Sequence, residues 1–465
     1  SNDGGANVSF NSGNSWSTQL NQPTAEFYRV TVDNQFPYRV YGAQQDNSTI
    51  SVPSQNPGGL TPQEHWFNAG GMESGHIAVD PRDPNIIFAG NYIGMITRLD
   101  RSRGHIREVT TYPEMHDGLA PRDIRYRFQW NAPIRFSPHD PTALYHTSQY
   151  VHRSTNGGQS WEIISPDLTT KNDKYQDIPG GPIQHDHTGV ELYTTIFTFE
   201  ESPVEPGVLW VGTDDGLVHI SRDSGKNWKN ITPPEMPEEG TVNMIDPSSS
   251  EAGRAHMAVY KYRENDFHPY IFRTNDYGAS WESLADGKNG IPEDHFVRVV
   301  REDPARRGLL YVGTEFGLYV SFDNGTHWQS LQLNLPVTPV TDLAVHKNDL
   351  VVATQGRSFW ILDDLTPLHQ LSDQVSASDA FLFKPGVAFR TQMGGFRSGG
   401  DVPETRPQGT LIFYILNTVP ESEITLEILT SDDEFIRSYS SKTKEEKERL
   451  PIEKGMNRFV WDLKY

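Results

Sequence analysis

The sequence has no cysteine among its 465 residues, which excludes disulfides, thiolate metal sites and a cysteine nucleophile. Basic residues are also scarce: 40 Lys and Arg stand against 61 Asp and Glu, a formal net charge of −21. A nucleic-acid binder needs a basic face to displace phosphate counterions, so this balance argues against a nucleic-acid partner. No apolar run approaches the roughly eighteen residues of a membrane-spanning helix, and we expect no membrane span.

Turn-forming and aromatic residues are plentiful instead. The chain has 39 Gly and 32 Pro, and aromatic residues make up 11% of it. A disordered chain is poor in aromatics, and Gly and Pro at this frequency would interrupt the helices of a bundle. The composition therefore predicts a large, turn-rich, all-β protein.

One short pattern recurs five times: a hydroxyl residue, then Asp or Asn, then Gly, then a small polar residue and Trp. The copies span residues 9–16, 154–161, 221–228, 274–281 and 321–328. The Asp or Asn side chain is suited to accept backbone N–H bonds, Gly to adopt a positive φ, and Trp to fill the core beneath. Each copy therefore predicts a tight turn between two strands.

Further turns at Asp-Pro or Ser-Pro, and at the Gly that ends an aromatic strand, complete units of four short antiparallel strands. Repeats of this kind, about 40–50 residues long, are typical of propeller blades. We expect seven blades within residues 19–372, which start near Phe27, His76, Ala132, Thr194, Thr241, Phe296 and Val340. Residues 1–18 are interpreted as the tail of a preceding blade or a closing strand.

The blade pattern stops after about Leu371. Residues 373–409, rich in Gly, Pro, Arg and Ser, are interpreted as a linker. Alternating segments from Thr410 onward predict a small Ig-like β-sandwich over residues 410–465, which we expect to be incomplete.

The five turns resemble Asp-boxes, the BNR repeats of sialidases, two-propeller xyloglucanases and sortilin. Residues 35–47, 73–76, 353–364 and 455–463 are similar to a bacterial group described as BNR-repeat glycosyl hydrolases or sortilin-like (VPS10-type) proteins. The resemblance implies a secreted or cell-envelope propeller with a second propeller upstream, so this chain would correspond to a C-terminal portion. It implies an extracellular, periplasmic or cell-surface location in a bacterium.

In propellers of this family the Asp-box turns lie on the rim opposite the functional face. We therefore expect function on the turns between second and third strands and on the crossings between blades. These segments supply the candidate ligand-binding residues Asp46, His76, Tyr92, Arg127, Gln129, Trp130, Asp215 and Arg357. They also supply the candidate catalytic carboxylates Glu73, Glu191, Asp214 and Glu315.

Three functions fit this set of residues. The favoured hypothesis is binding of a glycan or polypeptide at the funnel face, because aromatic rings stack on sugars and charged groups make directional hydrogen bonds. The second is a glycoside hydrolase of the two-propeller type, which needs two carboxylates about 5–5.5 Å or 6.5–9.5 Å apart. The third is a scaffold subunit of an envelope assembly.

Sialidase activity is disfavoured, because only Arg127 and Arg357 match the three arginines it requires. No cofactor is expected. The pair His185 and His187 resembles zinc ligands only weakly, and no metal site is predicted.

Overall fold

The structure is a computed structural model that describes residues 6–17, 24–55, 65–389 and 406–464. These residues fall into two compact units. The first comprises 6–17, 24–54, 65–346 and 351–361, and the second comprises 55, 347–350, 362–389 and 406–464. Antiparallel strands dominate both units, so the prediction of an all-β protein is confirmed.

Seven antiparallel sheets of three or four strands follow one another along the described chain up to Leu362. The first three are β1–β3 (Thr31–Val32, Arg39–Ala43, Thr49–Pro53), β4–β7 (Ile77–Val79, Ile86–Gly90, Ile96–Asp100, His105–Glu108) and β8–β11 (Ile134–Phe136, Leu144–Thr147, Val151–Ser154, Glu162–Ile163). The next two are β12–β15 (Ile196–Glu201, Leu209–Thr213, Val218–Ser221, Lys229–Asn230) and β16–β19 (Thr241–Pro247, Ala255–Lys261, Asp266–Thr274, Glu282–Ser283). The last two are β20–β23 (Val297–Glu302, Leu310–Thr314, Gly317–Ser321, Gln329–Ser330) and β24–β26 (Val340–His346, Asp349–Thr354, Phe359–Leu362). Within each sheet, every strand pairs with the one before it in the chain.

Adjacent sheets share their cores. Trp210 and Val218, from β13 and β14, pack in one cluster with Met257 and Phe272, from β17 and β18. Each sheet therefore buries apolar side chains against its neighbour, as expected where one face of a strand alone cannot exclude water.

The first sheet of the series contacts the last. The Phe27 amide donates to the Thr354 carbonyl at 3.0 Å, and Glu26 forms a β-bridge with Gln355. The Phe27 and Phe359 rings stack with their centroids 3.7 Å apart. The chain thus returns to its starting sheet with β25 and β26.

The Asp-box turns have the predicted internal bonds. In the copy at 221–228, Gly225 N donates to Ser221 Oγ at 2.9 Å, and Asn227 N donates to Asp223 Oδ1 at 2.8 Å. Gly225 has a φ of +89°, which confirms the need for glycine there. The Trp228 indole donates to the Ile164 carbonyl of the preceding sheet's crossing at 2.9 Å, so the turn also ties two sheets together.

The first copy departs from this pattern. It has the same turn, with Gly13 N donating to Ser9 Oγ at 2.7 Å. Trp16, however, is 64% exposed, so the prediction that this ring fills a core is wrong. The assignment of residues 1–18 to a preceding blade stays a prediction, and residues 1–5 and 18 lie outside the described ranges.

The second unit contains two small sheets. One comprises β27 (Ala380–Leu382), β28 (Thr410–Leu416) and β31 (Gly455–Trp461), and the other comprises β29 (Thr425–Leu429) and β30 (Phe435–Ser440). Tyr414, Tyr439 and Phe459 bring side chains of both sheets into one core. β27 and a short helix at Asp373–Ser376 lie in the segment interpreted as a linker, of which residues 390–405 fall outside the described ranges.

Helices are few and short within the described ranges. There they are the α-helices α1 (Thr366–Gln370) and α2 (Asp373–Ser376) and the 3-10 turns Tyr92–Gly94, Pro121–Asp123, Asp173–Tyr175, Tyr262–Glu264 and Glu446–Glu448. In the part of the chain that the structure describes, no helix has the length and apolar character to cross a membrane.

Candidate functional site

A buried aspartate pair occupies the turn between β13 and β14. Asp214 Oδ1 accepts from the Thr195 amide at 2.8 Å, and its Oδ2 lies 2.6 Å from the Thr195 hydroxyl. Asp215 Oδ2 accepts from the Thr170 amide and hydroxyl at 2.8 and 2.7 Å. The crossings between sheets therefore fold over this turn and hold both carboxyl groups in place.

Burial and, next, the neighbouring charge of Asp215 raise the pKa of Asp214 to about 7, although hydrogen bonds from Thr195 and Gln129 act to lower it. The Gln129 amide lies 3.4 Å from Asp214 Oδ2. The structure thus brings together Gln129, Asp214 and Asp215, three of the residues predicted from the sequence. Asp214 is only 1% exposed, which leaves its carboxyl group beneath the surface.

A second group of carboxylates surrounds the turn between β2 and β3. Glu73 Oε2 accepts from the Asp46 amide at 2.7 Å and from the Gln45 side chain at 3.0 Å. Burial raises the pKa of Glu26 nearby, with a further contribution from the charge of Asp46. Burial likewise raises the pKa of Tyr28, which also feels the charges of Glu26, Glu73 and Asp46. Asp46 and Glu73, predicted separately, are therefore neighbours.

Two predicted aromatic residues form a stack. The rings of Tyr92 and Trp130 lie with their centroids 5.4 Å apart and their planes 25° from parallel. Tyr92 comes from the turn after β5, and Trp130 from the crossing that leads to β8. Both side chains are half-buried, so part of the stack faces solvent.

The remaining acidic and basic candidates are separated. Glu315 forms an ion pair with Arg298, with Oε2 2.8 Å from Nη2. Arg357 is exposed, and its carbonyl accepts from the Trp360 indole at 2.8 Å. No bond links Arg357 to another predicted site residue among the described side chains.

His76 and Arg127 lie in the interior of the first unit. Arg127 is 4% exposed, forms an ion pair with Asp167 at 3.1 Å, and donates from Nε to the Thr194 carbonyl at 3.2 Å. His76 is 3% exposed and lies 2.5 Å from an Arg135 nitrogen. Both side chains connect elements of the fold instead of facing solvent.

Glu191 lies in a separate cleft of about 370 Å³. Three tyrosines contribute to its wall, and we call it the tyrosine cleft; its lining includes Tyr175, Tyr193, Tyr260, Glu191, Glu239, Arg263 and Glu264. The crossing between β11 and β12 supplies Tyr175, Glu191 and Tyr193, while the end of β17 and the turn after it supply Tyr260, Arg263 and Glu264.

The tyrosine cleft combines ring faces with charges of both signs. Tyr175 and Tyr193 meet edge to face with ring centroids 4.9 Å apart, and the Tyr175 hydroxyl donates to Glu239. Burial raises the pKa of Tyr193, and the charges of Asp214 and Asp215 raise it further, so the aspartate pair borders this cleft. Such a surface can stack on a ring and bond to hydroxyl groups around it.

Several residues around these carboxylates and the tyrosine cleft were not predicted from the sequence. Glu26 and Tyr28 precede the first strand, Arg298 lies within β20, and Tyr193 and Glu239 lie on crossings between sheets. Tyr193 had a usable signal, because it stands two residues after Glu191 on the same crossing. Arg298 had no such sequence signal, since it occupies an ordinary position in an alternating strand.

No three His, Asp or Glu side chains within residues 6–17, 24–55, 65–389 and 406–464 form an arrangement that could hold a metal ion. The His185 and His187 rings are 6.3 Å apart, and Asp186 between them accepts from the Thr188 amide at 2.9 Å.

No protein-family model matches the chain. A curated protein of Neosartorya fischeri, described as a probable oligoxyloglucan-reducing end-specific xyloglucanase, is 28% identical over 117 residues. That stretch is 23% of this chain and 13% of the relative.

Two solved structures are similar to the chain at low sequence identity. The GH74 xyloglucanase from Xanthomonas campestris has a TM-score of 0.51 and 15% identity, covering 76% of this chain and 54% of that one. The GH74 enzyme of Niastella koreensis has a TM-score of 0.48 and 13% identity, covering 74% and 53%. The chain thus spans about half the length of these structures, and the likeness to the Xanthomonas structure supports a propeller-like fold.

Proposed function

We propose that the first unit binds a glycan chain in the tyrosine cleft. The observation that carries the proposal is the cleft of about 370 Å³ in which tyrosine rings stand beside Glu191, Glu239 and Arg263. Sugar rings stack on aromatic faces through their C–H groups, and their hydroxyls exchange hydrogen bonds with carboxylates and guanidinium groups. The half-buried ring of Tyr193 is the stacking surface in this proposal.

The wider architecture belongs to the same proposal. We infer that the seven sheets are the blades of a seven-bladed Asp-box (BNR) propeller, supported by the contact between the first and last sheets. The two small sheets of the second unit are proposed to be an Ig-like module. A cell-envelope or extracellular location, an upstream propeller in the same precursor and a sortilin-like relationship remain predictions that rest on the sequence resemblance.

The glycan class is tested by binding. The Neosartorya fischeri relative and the Xanthomonas campestris structure are described as xyloglucanases, which favours xyloglucan oligosaccharides as the first probes, with cello-oligosaccharides for comparison. Calorimetric titration of the 465-residue chain should detect saturable binding. Tyr193→Ala should weaken it about two- to tenfold, because a ring stack contributes about 0.5–1.5 kcal/mol.

A matched control is Tyr277→Ala. Tyr277 is also half-buried, but it lies in the Asp-box turn at 274–281 and bonds to Glu205, away from the tyrosine cleft. This variant should bind as the wild type does. Equal losses in the two variants, or no binding of any oligosaccharide in the panel, would contradict the proposal.

A glycoside hydrolase is the second candidate, favoured by the 28% identity to the xyloglucanase of Neosartorya fischeri over 117 residues. Hydrolysis needs one carboxylic acid and one carboxylate facing the same bond. Three of the four predicted carboxylates already have protein partners. Glu73 accepts a hydrogen bond from the Asp46 amide, Asp214 accepts one from the Thr195 amide, and Glu315 forms an ion pair with Arg298. Of these four predicted carboxylates, Glu191 alone lines the tyrosine cleft, which favours binding over hydrolysis.

Release of reducing ends from xyloglucan distinguishes the two functions. A binding protein releases none above background. Robust turnover that disappears in Glu191→Gln or Glu73→Gln would establish the hydrolase and overturn the binding proposal.

A further inference from the structure

A second cavity, of about 240 Å³, lies between the second and third sheets of the first unit. We call it the arginine pocket; its lining includes Asp80, Arg82, Arg98, Arg107, Phe136 and Gly157. None of the described residues that line it also lines the tyrosine cleft, so the two cavities are separate sites.

Two arginines of the pocket stand side by side on one face of the second sheet. Arg98 of β6 is paired directly with Arg107 of β7 in the antiparallel register. Like charges in this position repel each other and destabilise a strand pair. Among the residues that the structure describes, neither guanidinium has a carboxylate within ion-pair distance or a hydrogen-bond acceptor. The pocket wall therefore carries two positive charges without a bound partner.

The third arginine is already paired. Arg82 donates to Asp80 from Nε at 2.9 Å and from Nη2 at 2.7 Å. Asp80 is the one carboxylate in the described lining, and it also feels the charge of Arg98. The charge of Asp140, outside the lining, acts on Arg82 as well. Three arginines thus face one carboxylate inside the pocket and one outside it, and the balance is positive in a chain whose net charge is −21.

A backbone N–H adds a third donor. In three other Asp-box turns, the amide of the fourth residue donates to a glycine carbonyl between the first two strands of the same sheet. These bonds join Ser224 to Gly207, Tyr277 to Gly253 and Asn324 to Gly308, at 2.9, 2.9 and 3.0 Å.

Gly157 holds this fourth position in the turn at 154–161, and its amide has no acceptor within the described ranges. The corresponding loop residue of the third sheet, Thr142, lines the pocket together with Gly157. The cavity therefore opens at the place where the other three turns close against their loops. A Cβ placed on Gly157 would lie 3.8 Å from Arg98 Nε, so this backbone runs beside the guanidinium.

Aromatic rings form the apolar wall of the pocket. Phe88 and Phe136 meet edge to face with ring centroids 5.6 Å apart, and Arg98 Cζ lies 5.9 Å from the centroid of Phe88. A cleft that carries one sign of charge beside walls of low dielectric constant focuses the field and concentrates counter-ions. The arginine pocket has both properties and is therefore suited to an anion.

We propose that the arginine pocket binds a sulfate or phosphate group, with the guanidinium groups of Arg98 and Arg107 and the Gly157 amide as donors. A tetrahedral dianion matches the two charges that lack a partner, and guanidinium groups bond to its oxygens in pairs. The group is either a free ion or a substituent of a larger molecule such as a sulfated sugar, because the recognised chemistry is the same in both.

The decisive experiment is anomalous diffraction from crystals of the wild-type protein soaked in sodium selenate, the selenium analogue of sulfate. The expected result is a selenium peak with oxygens within hydrogen-bonding distance of Arg98 and Arg107. Selenate bound only at other arginines, or no peak in the pocket, would overturn the proposal. This test needs no variant and so does not depend on the folding of a mutant.

Titration of the 465-residue chain with sulfate in chloride buffer of constant ionic strength gives a second readout. Arg98→Met and Arg107→Met should each weaken binding about tenfold, because each removes charged hydrogen-bond donors. Arg103→Met is the matched control, since Arg103 lies in the turn between the same two strands and pairs with Asp100 instead. It should bind sulfate as the wild type does. Equal losses in all three variants would show only a general effect of charge and would overturn the site.

The same titration with glucose 6-sulfate distinguishes the two sources of the group. Tighter binding of the sugar sulfate than of inorganic sulfate, lost in Arg98→Met, would identify a substituent on a larger molecule. Binding of inorganic sulfate alone would identify a free ion. Failure of both to bind would overturn the proposal and would leave the tyrosine cleft, which is tested with neutral oligosaccharides, unaffected.

Discussion

Replacement of Asp214 by Asn should make the protein less sensitive to destabilisation as the pH rises from acidic to neutral. Asp214 is 1% exposed, and its pKa is raised from 3.8 to about 7. At 1.36 kcal/mol per pKa unit, this difference corresponds to about 4 kcal/mol. Because the folded-state pKa is the higher one, the native state prefers the protonated form, and stability is lost as pH rises from about 4 to about 7.

The asparagine variant keeps the geometry of the neutral acid. Its amide oxygen can accept from the Thr195 amide, and its NH₂ group can donate to the Thr195 hydroxyl, as a protonated Asp214 does. Relative to the wild type, Asp214→Asn should therefore gain stability progressively between pH 4 and pH 7, by up to about 4 kcal/mol. Above pH 7 the wild-type carboxyl group is ionised in both the folded and the unfolded protein, so the difference in stability levels off.

Urea denaturation from pH 4 to pH 8 measures this difference directly. Asp223→Asn is the matched control, because the Asn227 side chain and amide lower the pKa of Asp223. Its stabilising effect is present above the unfolded pKa and disappears only as pH falls below it, so its difference from the wild type should stay flat over this range. A flat profile for Asp214→Asn as well would refute the burial argument.

Two further changes test the packing of the first unit by calorimetry. Trp228→Phe removes the indole bond to the Ile164 carbonyl and should cost about 1–2 kcal/mol, whereas Trp16→Phe, at a side chain 64% exposed, should have almost no effect. Arg254→Met leaves the 3%-exposed Glu302 side chain without its ion-pair partner and should cost about 3–5 kcal/mol; a loss below about 1 kcal/mol would show that water reaches this pair.

The sheets were predictable because local signals agree along the chain. Antiparallel strands at regular intervals are indicated by the alternation of apolar and polar residues, by the Gly-containing turns and by the turn motif that recurs five times. The predicted start at Thr241 coincides with β16, and that at Val340 coincides with β24. Trp16 shows the limit of the repeat: its turn forms as in the other copies, but filling a core also needs a neighbouring sheet on which the ring can pack.

The contacts between site residues were harder to predict than the loops on which those residues lie. Asp46 and Glu73 were each identified as loop residues, but their hydrogen bond depends on which turn and crossing share an edge. His76 and Arg127 also come from crossings and yet point inward, because a loop position does not determine the direction of its side chain. Arg29 meets Asn243 across 214 residues, and no local pattern indicates such a contact.

The distinction between binding and hydrolysis depends on Glu191. Asp214 has the raised pKa of a general acid, but a carboxyl group that is 1% exposed and held by Thr195 is not placed to reach a glycosidic oxygen. Glu191 is exposed in the tyrosine cleft, where Glu239 and Glu264 are the other glutamates of the wall. Glu239 already accepts from the Tyr175 hydroxyl, and Asp177, the aspartate of the wall, forms an ion pair with Arg122 at 3.1 Å. A hydrolase acting within this cleft would therefore need Glu191 and Glu264 as its pair, so Glu264→Gln should abolish turnover as completely as Glu191→Gln does. If Glu264→Gln instead leaves turnover intact while Glu191→Gln abolishes it, the second carboxylate lies outside the cleft.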